Sequence, residues 1–241
     1  MCGRYTLTSS GEALARHFDL EPGRDGDPPG IWAGLHPRYN IAPSQWVPVV
    51  RSGVTRRVLA LHRWGLVPFW APDPSIGARL VNARAETAAS KPAFRSAMRT
   101  RRCLVPMDGF YEWRRRGRAR LPVWFHPRKA GLLAAAGLWE EWQDPEGEVL
   151  RSFTILTTEA DRAVAPVHDR MPVFVARDEH ARWLDPEQRD PAALADLLAA
   201  RPDHGLEGRA VSRCVNDPRN DGPECLEPEE PGEQSDLFAP E

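Results

Sequence analysis

Long apolar runs are missing from this 241-residue chain: no stretch of eighteen or more hydrophobic residues occurs, which excludes a membrane-spanning helix of ordinary length. The N-terminus also lacks the charged-then-apolar layout of a secretory signal, because Arg4 and the polar Thr6, Thr8, Ser9 and Ser10 interrupt it. A cytoplasmic protein is expected, nucleoid-associated if bacterial. Cysteine is scarce. Cys2, Cys103, Cys214 and Cys225 show neither Cys-x-x-Cys spacing nor the density of a disulfide scaffold, so reduced thiols and no metal site are expected. Lysine is nearly absent: only Lys91 and Lys129 occur, which makes 30 of the 32 basic residues arginine. The planar guanidinium suits phosphate recognition, although coding bias gives the same composition.

What is present is ample apolar material, 41% of residues, and a length that fits one large domain. The formal charge of −2 conceals an asymmetry. Eight acidic residues and no basic ones follow Arg219. Of the 34 acidic residues, 26 therefore stand against 32 basic ones in residues 1–220, a net of +6. Arg95 to Arg120 is the densest basic stretch, with nine arginines against Asp108 and Glu112. Such a body fits nucleic acid, or a solvated basic surface.

Short apolar or alternating runs bounded by Gly, Pro and Asp read as strands: Trp46–Val50, Arg57–Arg63, Cys103–Pro106, Phe110–Trp113, Leu121–Phe125, Leu132–Trp139 and Ser152–Thr157. Turn signals at Arg116-Gly117-Arg118 and Asp144-Pro145-Glu146-Gly147 make neighbouring runs into hairpins. Helices are expected at Ser10–Phe18, Ser90–Thr100, Asp178–Leu184 and Pro191–Ala199. The class is α+β, a single domain with a mostly antiparallel sheet core and a few flanking helices. Residues 21–37 read as a loop insertion. The domain is set at 1–226, and 227–241 as an acidic tail too polar and proline-rich to pack.

Candidate chemistry begins at Cys2. Removal of Met1 would put a free amine and a thiol on one carbon frame, with reference pKa values of about 7.7–8.0 and about 8.5, so both are partly nucleophilic near neutrality. The amine can form an imine with an aldehyde, and the thiol can then close a thiazolidine. The alternative is an ordinary small residue at a frayed terminus. In the run Gly109–Trp113, Phe110 and Glu112 share one strand face while Tyr111 and Trp113 share the other. A carboxylate among aromatic rings is desolvated and suited to acid/base work; the alternative is a surface glutamate. His168-Asp169-Arg170, held between prolines, offers a proton-transferring imidazole and a guanidinium, or merely a loop ion pair. Asn82 and Arg84, two apart, share a face if extended. Tyr39–Gln45 and Trp64–Trp70 look like loops presenting flat apolar groups, able to stack on unpaired bases or to lid the core.

Together these segments, in order, resemble the SOS response-associated peptidase (SRAP) family. The residues are Cys2-Gly3-Arg4-Tyr5, Tyr39–Pro43, Trp64–Pro68, Asn82–Thr87, Gly109–Trp113, Thr157-Thr158, His168–Pro172, Val211-Ser212 and Val215-Asn216, a likeness covering residues 2 to about 227. The resemblance implies a sensor of abasic sites in single-stranded DNA that traps the ring-opened aldehyde as a covalent DNA–protein crosslink. It further implies Cys2 as the crosslinking residue after loss of Met1, possibly self-catalysed, and Glu112 as acid/base. His168 would position or protonate the sugar oxygen, and Asn82 would hold the terminus and the sugar. Arg4, Arg84 and Arg170 match phosphate contacts; Pro43, Trp64 and Trp113 match wedging or stacking groups; Thr157 joins the DNA-binding set. The protein is expected to act as a monomer, with no cofactor, metal or membrane. Two other readings remain: an N-terminal-nucleophile amidohydrolase using the Cys2 thiol, and a non-catalytic single-strand-binding module.

Overall fold

The computed structural model describes residues 2–23, 27–117, 119–199 and 205–229. In chain order its elements are β1 (Tyr5–Leu7), α1 (Gly11–Phe18), β2 (Arg38–Ile41), β3 (Trp46–Ser52), β4 (Arg57–Trp64) and β5 (Asn82–Arg84). Then come α2 (Ala85–Ala88), α3 (Arg95–Thr100), β6 (Arg102–Met107), β7 (Gly109–Arg116), β8 (Ala119–Pro127), β9 (Leu133–Gln143) and β10 (Val149–Glu159). The remaining strands and α-helices among the described residues are β11 (Arg170–Pro172), α4 (His180–Leu184), α5 (Ala195–Ala199) and β12 (Leu206–Ala210), with short 3₁₀ turns between and after them. All seven expected strands are present, and the α+β class holds. Among the described residues, no helix is long and apolar enough to cross a membrane.

Two sheets carry the fold. In the first, in the order β12-β8-β7-β1-β2, every pairing is antiparallel. In the second, β10, β4, β3, β6 and β9 close into a five-stranded barrel, because β10 pairs with both β9 and β4. The β10–β4 pairing is parallel, as is β10–β5, so the sheet is not wholly antiparallel. Closure removes free edges along the barrel wall. The later residues of β10 run past the barrel to pair with β5 and β11, and this extension supports the candidate site.

Side-chain alternation divides the interior. Phe110 of β7 joins Val123 and Phe125 of β8 in the main core with the barrel residues, whereas Tyr111 packs on the opposite face with Val211, Val215 and Cys225. The segment after β12 is thus part of the folded body. Ser212 N–H donates to Glu227 O (2.8 Å), Val211 bridges Pro228, and Arg213 pairs with Glu229 at 3.2 Å. Packing therefore continues through Glu227–Glu229, three residues beyond the expected boundary. The rest of the acidic tail, 230–241, lies outside the described residues.

Helices depart more from expectation. Ser10 caps α1, accepting from Ala13 N–H at 3.2 Å. The helix expected over Ser90–Thr100 starts only at Arg95, because Pro92 disfavours helical geometry at Lys91 and the preceding residues form turns on Thr87 O. The two late helices each open as a 3₁₀ turn, at Arg177–Glu179 and Pro191–Leu194. Residues 21–37 hold no strand or α-helix among those described.

Candidate functional site

Pairing of β1 with β7 builds the site. Tyr5 stands opposite Phe110, and Tyr111 N–H donates to Arg4 O at 2.9 Å, so the antiparallel register leads the N-terminus back along β7 towards Glu112. Cys2 is consequently buried at 0% exposure. It is no frayed terminus. Burial pushes its thiol far above the ordinary range, and the neighbouring Glu112 carboxylate pushes further in the same direction. The expectation of a partly ionised thiol belongs to the chain freed of Met1; in the Met1-bearing chain burial disfavours the thiolate.

Glu112 is 3% exposed. Desolvation raises its pKa, and the positive form of His168 opposes that rise. The surface-glutamate alternative is set aside by this burial. Trp113, next along the strand, faces the other way; its indole N–H donates to Asn216 Oδ1 at 2.6 Å and Arg4 lies over its ring at 5.7 Å.

Asn82 opens β5, in parallel register with Ile155 of β10, and its Nδ2 donates to Cys2 O at 2.7 Å. Its Oδ1 is buried with no hydrogen-bond partner among the described residues. Gly65 fixes the approach to β5. Its φ is +116°, and a Cβ there would lie 2.6 Å from Gly77 O, so only glycine lets the end of β4 meet the 3₁₀ turn that leads to Asn82.

His168 sits just before β11. Its Nδ1 is 2.9 Å from both Arg170 N–H and Asp169 Oδ1. The neutral ring, with its proton on Nε2, accepts from Arg170; the protonated ring donates to Asp169. Arg170 itself grips Glu86 through two bonds, of 2.9 and 2.8 Å, and its Nη2 also donates to Thr157 O. Glu86 is held below the usual carboxylate range by this pairing.

Cys2, Asn82 and Glu112 are thus brought together, with His168 within electrostatic reach. The expected DNA-contacting set is redistributed. Trp64 is 1% exposed, donates to Val81 O at 2.8 Å and packs between Tyr5 and Phe153, so it is a core residue and not a stacking group. The same motif instead exposes Phe69 (59%) and Trp70 (48%), which begin beyond the buried Leu66 and Val67. Thr157 is buried and acts behind Arg170. Arg4 is half-buried, its Nη1 bonded to Asn40 Oδ1 (2.7 Å) and Val215 O (2.8 Å). Arg84 is exposed and Pro43 partly so, in a tight turn where Ser44 has φ +73°.

Three site-building residues escaped the sequence reading. Buried Asn40 points Nδ2 at the carbonyls of Val215, Asp217 and Asn220. Asp221 accepts from Tyr39 N–H and Asn40 N–H and pairs with Arg38. Glu86 occupies Arg170. Asn40 and Glu86 lie inside quoted motifs, where a polar residue amid apolar ones was an available signal; Asp221 carried none.

These features define a class: a barrel-based α+β domain whose N-terminal cysteine is buried against a glutamate and an asparagine amide. The chain belongs to the SOS response associated peptidase (SRAP) family, whose model matches residues 1–218. It is 39% identical over 228 residues to the abasic site processing protein YoqW of Bacillus subtilis, covering 94% of this chain and 99% of that one. It is 34% identical over 275 residues to the abasic site processing protein HMCES of Gallus gallus, covering 99% and 81%. Among solved structures, a protein from Bacteroides thetaiotaomicron shares the fold at a TM-score of 0.82 and 24% identity, covering 95% of this chain and 100% of that one.

Proposed function

We propose that this protein processes abasic sites in single-stranded DNA, trapping the ring-opened sugar as a thiazolidine on Cys2. The observation that carries the reading is the convergence of Asn82 and Glu112 on a buried Cys2. The names of the relatives point the same way.

Met1 must leave first, by self-cleavage or otherwise, because only then is the Cys2 amine free. That amine attacks the C1′ aldehyde and Glu112, poised as an acid by burial, gives its proton to the departing oxygen. Water leaves and an imine forms. The newly ionised Glu112 then takes the thiol proton as Sγ adds to the carbon of the protonated imine and the C=N electron pair returns to nitrogen, which leaves a neutral thiazolidine and Glu112 protonated again. One carboxylate serves as acid and base in turn. Asn82 anchors the Cys2 carbonyl and offers Oδ1 to the amine or a sugar hydroxyl; His168 serves the sugar oxygen. Arg84 and Arg170 bind phosphates, while Phe69, Trp70 and Trp113 stack on or wedge between bases beside Pro43.

The amidohydrolase reading uses Cys2 but gives no role to Glu112 and Asn82 beside it. Incubation with single-stranded DNA carrying one abasic site should give a heat-stable adduct on a denaturing gel. Cys2→Ser should give at most a reversible imine. Wild-type protein that binds this DNA without a covalent band would refute the proposal.

A further inference from the structure

Two 3₁₀ turns, Arg213–Asn216 and Pro223–Leu226, face each other beneath Tyr111 and bring two thiols together. Cys214 Sγ and Cys225 Sγ are 3.9 Å apart, and with a Glu224 carboxylate oxygen they lie within 4.8 Å of one another. Both thiols are free. In a tetrahedral zinc site, Zn–S bonds of about 2.3 Å put two sulfurs about 3.8 Å apart. The pair therefore already stands at the edge length of such a tetrahedron, whereas a disulfide at about 2.0 Å would require the sulfurs to close by nearly half their separation.

The backbone around the ligands is held in place. Ser212 Oγ accepts from Cys214 N–H (3.2 Å), Asn220 Nδ2 donates to Cys214 O (2.9 Å), and Cys225 N–H donates to Gly222 O (3.1 Å). Cys225 is buried and Cys214 partly exposed, so one thiolate is shielded while the cluster keeps a route to solvent. We propose that Cys214, Cys225 and Glu224 form a three-ligand site for a thiophilic divalent cation of the zinc type, with water in the fourth position. Binding replaces the two thiol protons with the cation and releases them to solvent. This proposal departs from the expectation of no metal drawn from cysteine spacing, since its ligands come from separate turns.

The site ties the segment carrying Val215 O, which holds Arg4, and Asn216, which holds Trp113, to the turn Pro223–Leu226. Its effect is to brace one wall of the candidate DNA surface. The test uses the reduced full-length chain, stripped by a chelator and titrated with Co²⁺, then Zn²⁺. One equivalent of cobalt should produce thiolate-to-cobalt charge-transfer absorbance and tetrahedral visible bands, both displaced by zinc. Cys2→Ser should keep the signal, Cys214→Ser should abolish it, and Glu224→Gln should weaken affinity at least tenfold, all with wild-type circular dichroism. Zinc should raise the melting temperature of wild type and not of Cys214→Ser. An absent charge-transfer band, a signal that follows Cys2, or an unaltered affinity in Glu224→Gln overturns the proposal. So does reduced protein that ignores cobalt while peroxide converts the two thiols to a disulfide with loss of two hydrogens and formation of two waters.

Discussion

Glu112 combines a burial cost with a chemical use, and the two can be separated. Its proton is held to higher pH in the folded chain than in the unfolded one. Between those two pKa values the native state binds more protons, so stability falls as pH rises through that window and the cost is fully present above it. Glu112→Gln should therefore melt no lower than wild type at neutral pH and lose any advantage below the unfolded carboxylate pKa, while crosslinking falls at least about a hundredfold, the lower end of general acid–base contributions. Melting curves across pH and single-turnover adduct formation check both halves. A variant that loses stability at neutral pH in step with activity would make Glu112 a structural residue. At Cys2 the expected outcome concerns access: in native protein the thiol should resist alkylation far longer than partly exposed Cys214, and react on unfolding. Differential labelling read by peptide mass spectrometry would show this. Much of the site was legible here because motif order marks residues whatever their environment. Burial is not marked that way, so the motifs point Trp64 and Thr157 to DNA although both lie inside.

Strand runs were legible from alternation, whereas β1, β2, β5, β11 and β12, each three to five residues, are too short to show a period. Of the candidate site, these short strands carry Asn82, Arg84 and Arg170, while Glu112 lies on the longer β7. The β4-to-β5 connection depends on the close meeting of Gly65 and Gly77, so Gly65→Ala combines a left-handed backbone with a clash against Gly77 O. The expected loss exceeds about 1 kcal/mol, and adduct formation should fall further than stability because Asn82 moves with the connection. Denaturant unfolding beside crosslinking assays would test the coupling; equal activity per folded molecule would disprove it. Gly65 could be read as a loop glycine from sequence, but its partner twelve residues later could not, since their contact exists only in three dimensions.

For the whole molecule, charge and protonation give two further outcomes. His62 and His180 are buried, and burial lowers them to about 3 and about 4 from 6.5. The unfolded chain takes up these protons first, so stability should fall as pH drops from 6.5 towards about 4. A melting temperature that stays level across that range would contradict it. Glu230, Glu233, Asp236 and Glu241 bring four negative charges with no basic residue, so removing 230–241 takes the formal net charge from −2 to +2. Truncation after Glu229, which spares the packed Glu227–Glu229 turn, should tighten DNA binding and steepen its salt dependence; Arg84→Ala should shallow the slope by about 0.7. Affinity measured against salt for the three proteins decides. Arg170 should behave unlike Arg84. Its guanidinium is already paired with Glu86. A strand docking there must evict a resident carboxylate with matching bidentate geometry, so little free positive charge is consumed. On the proposed function, that latch would discriminate by shape, nearly blind to ionic strength, against anions that merely pass.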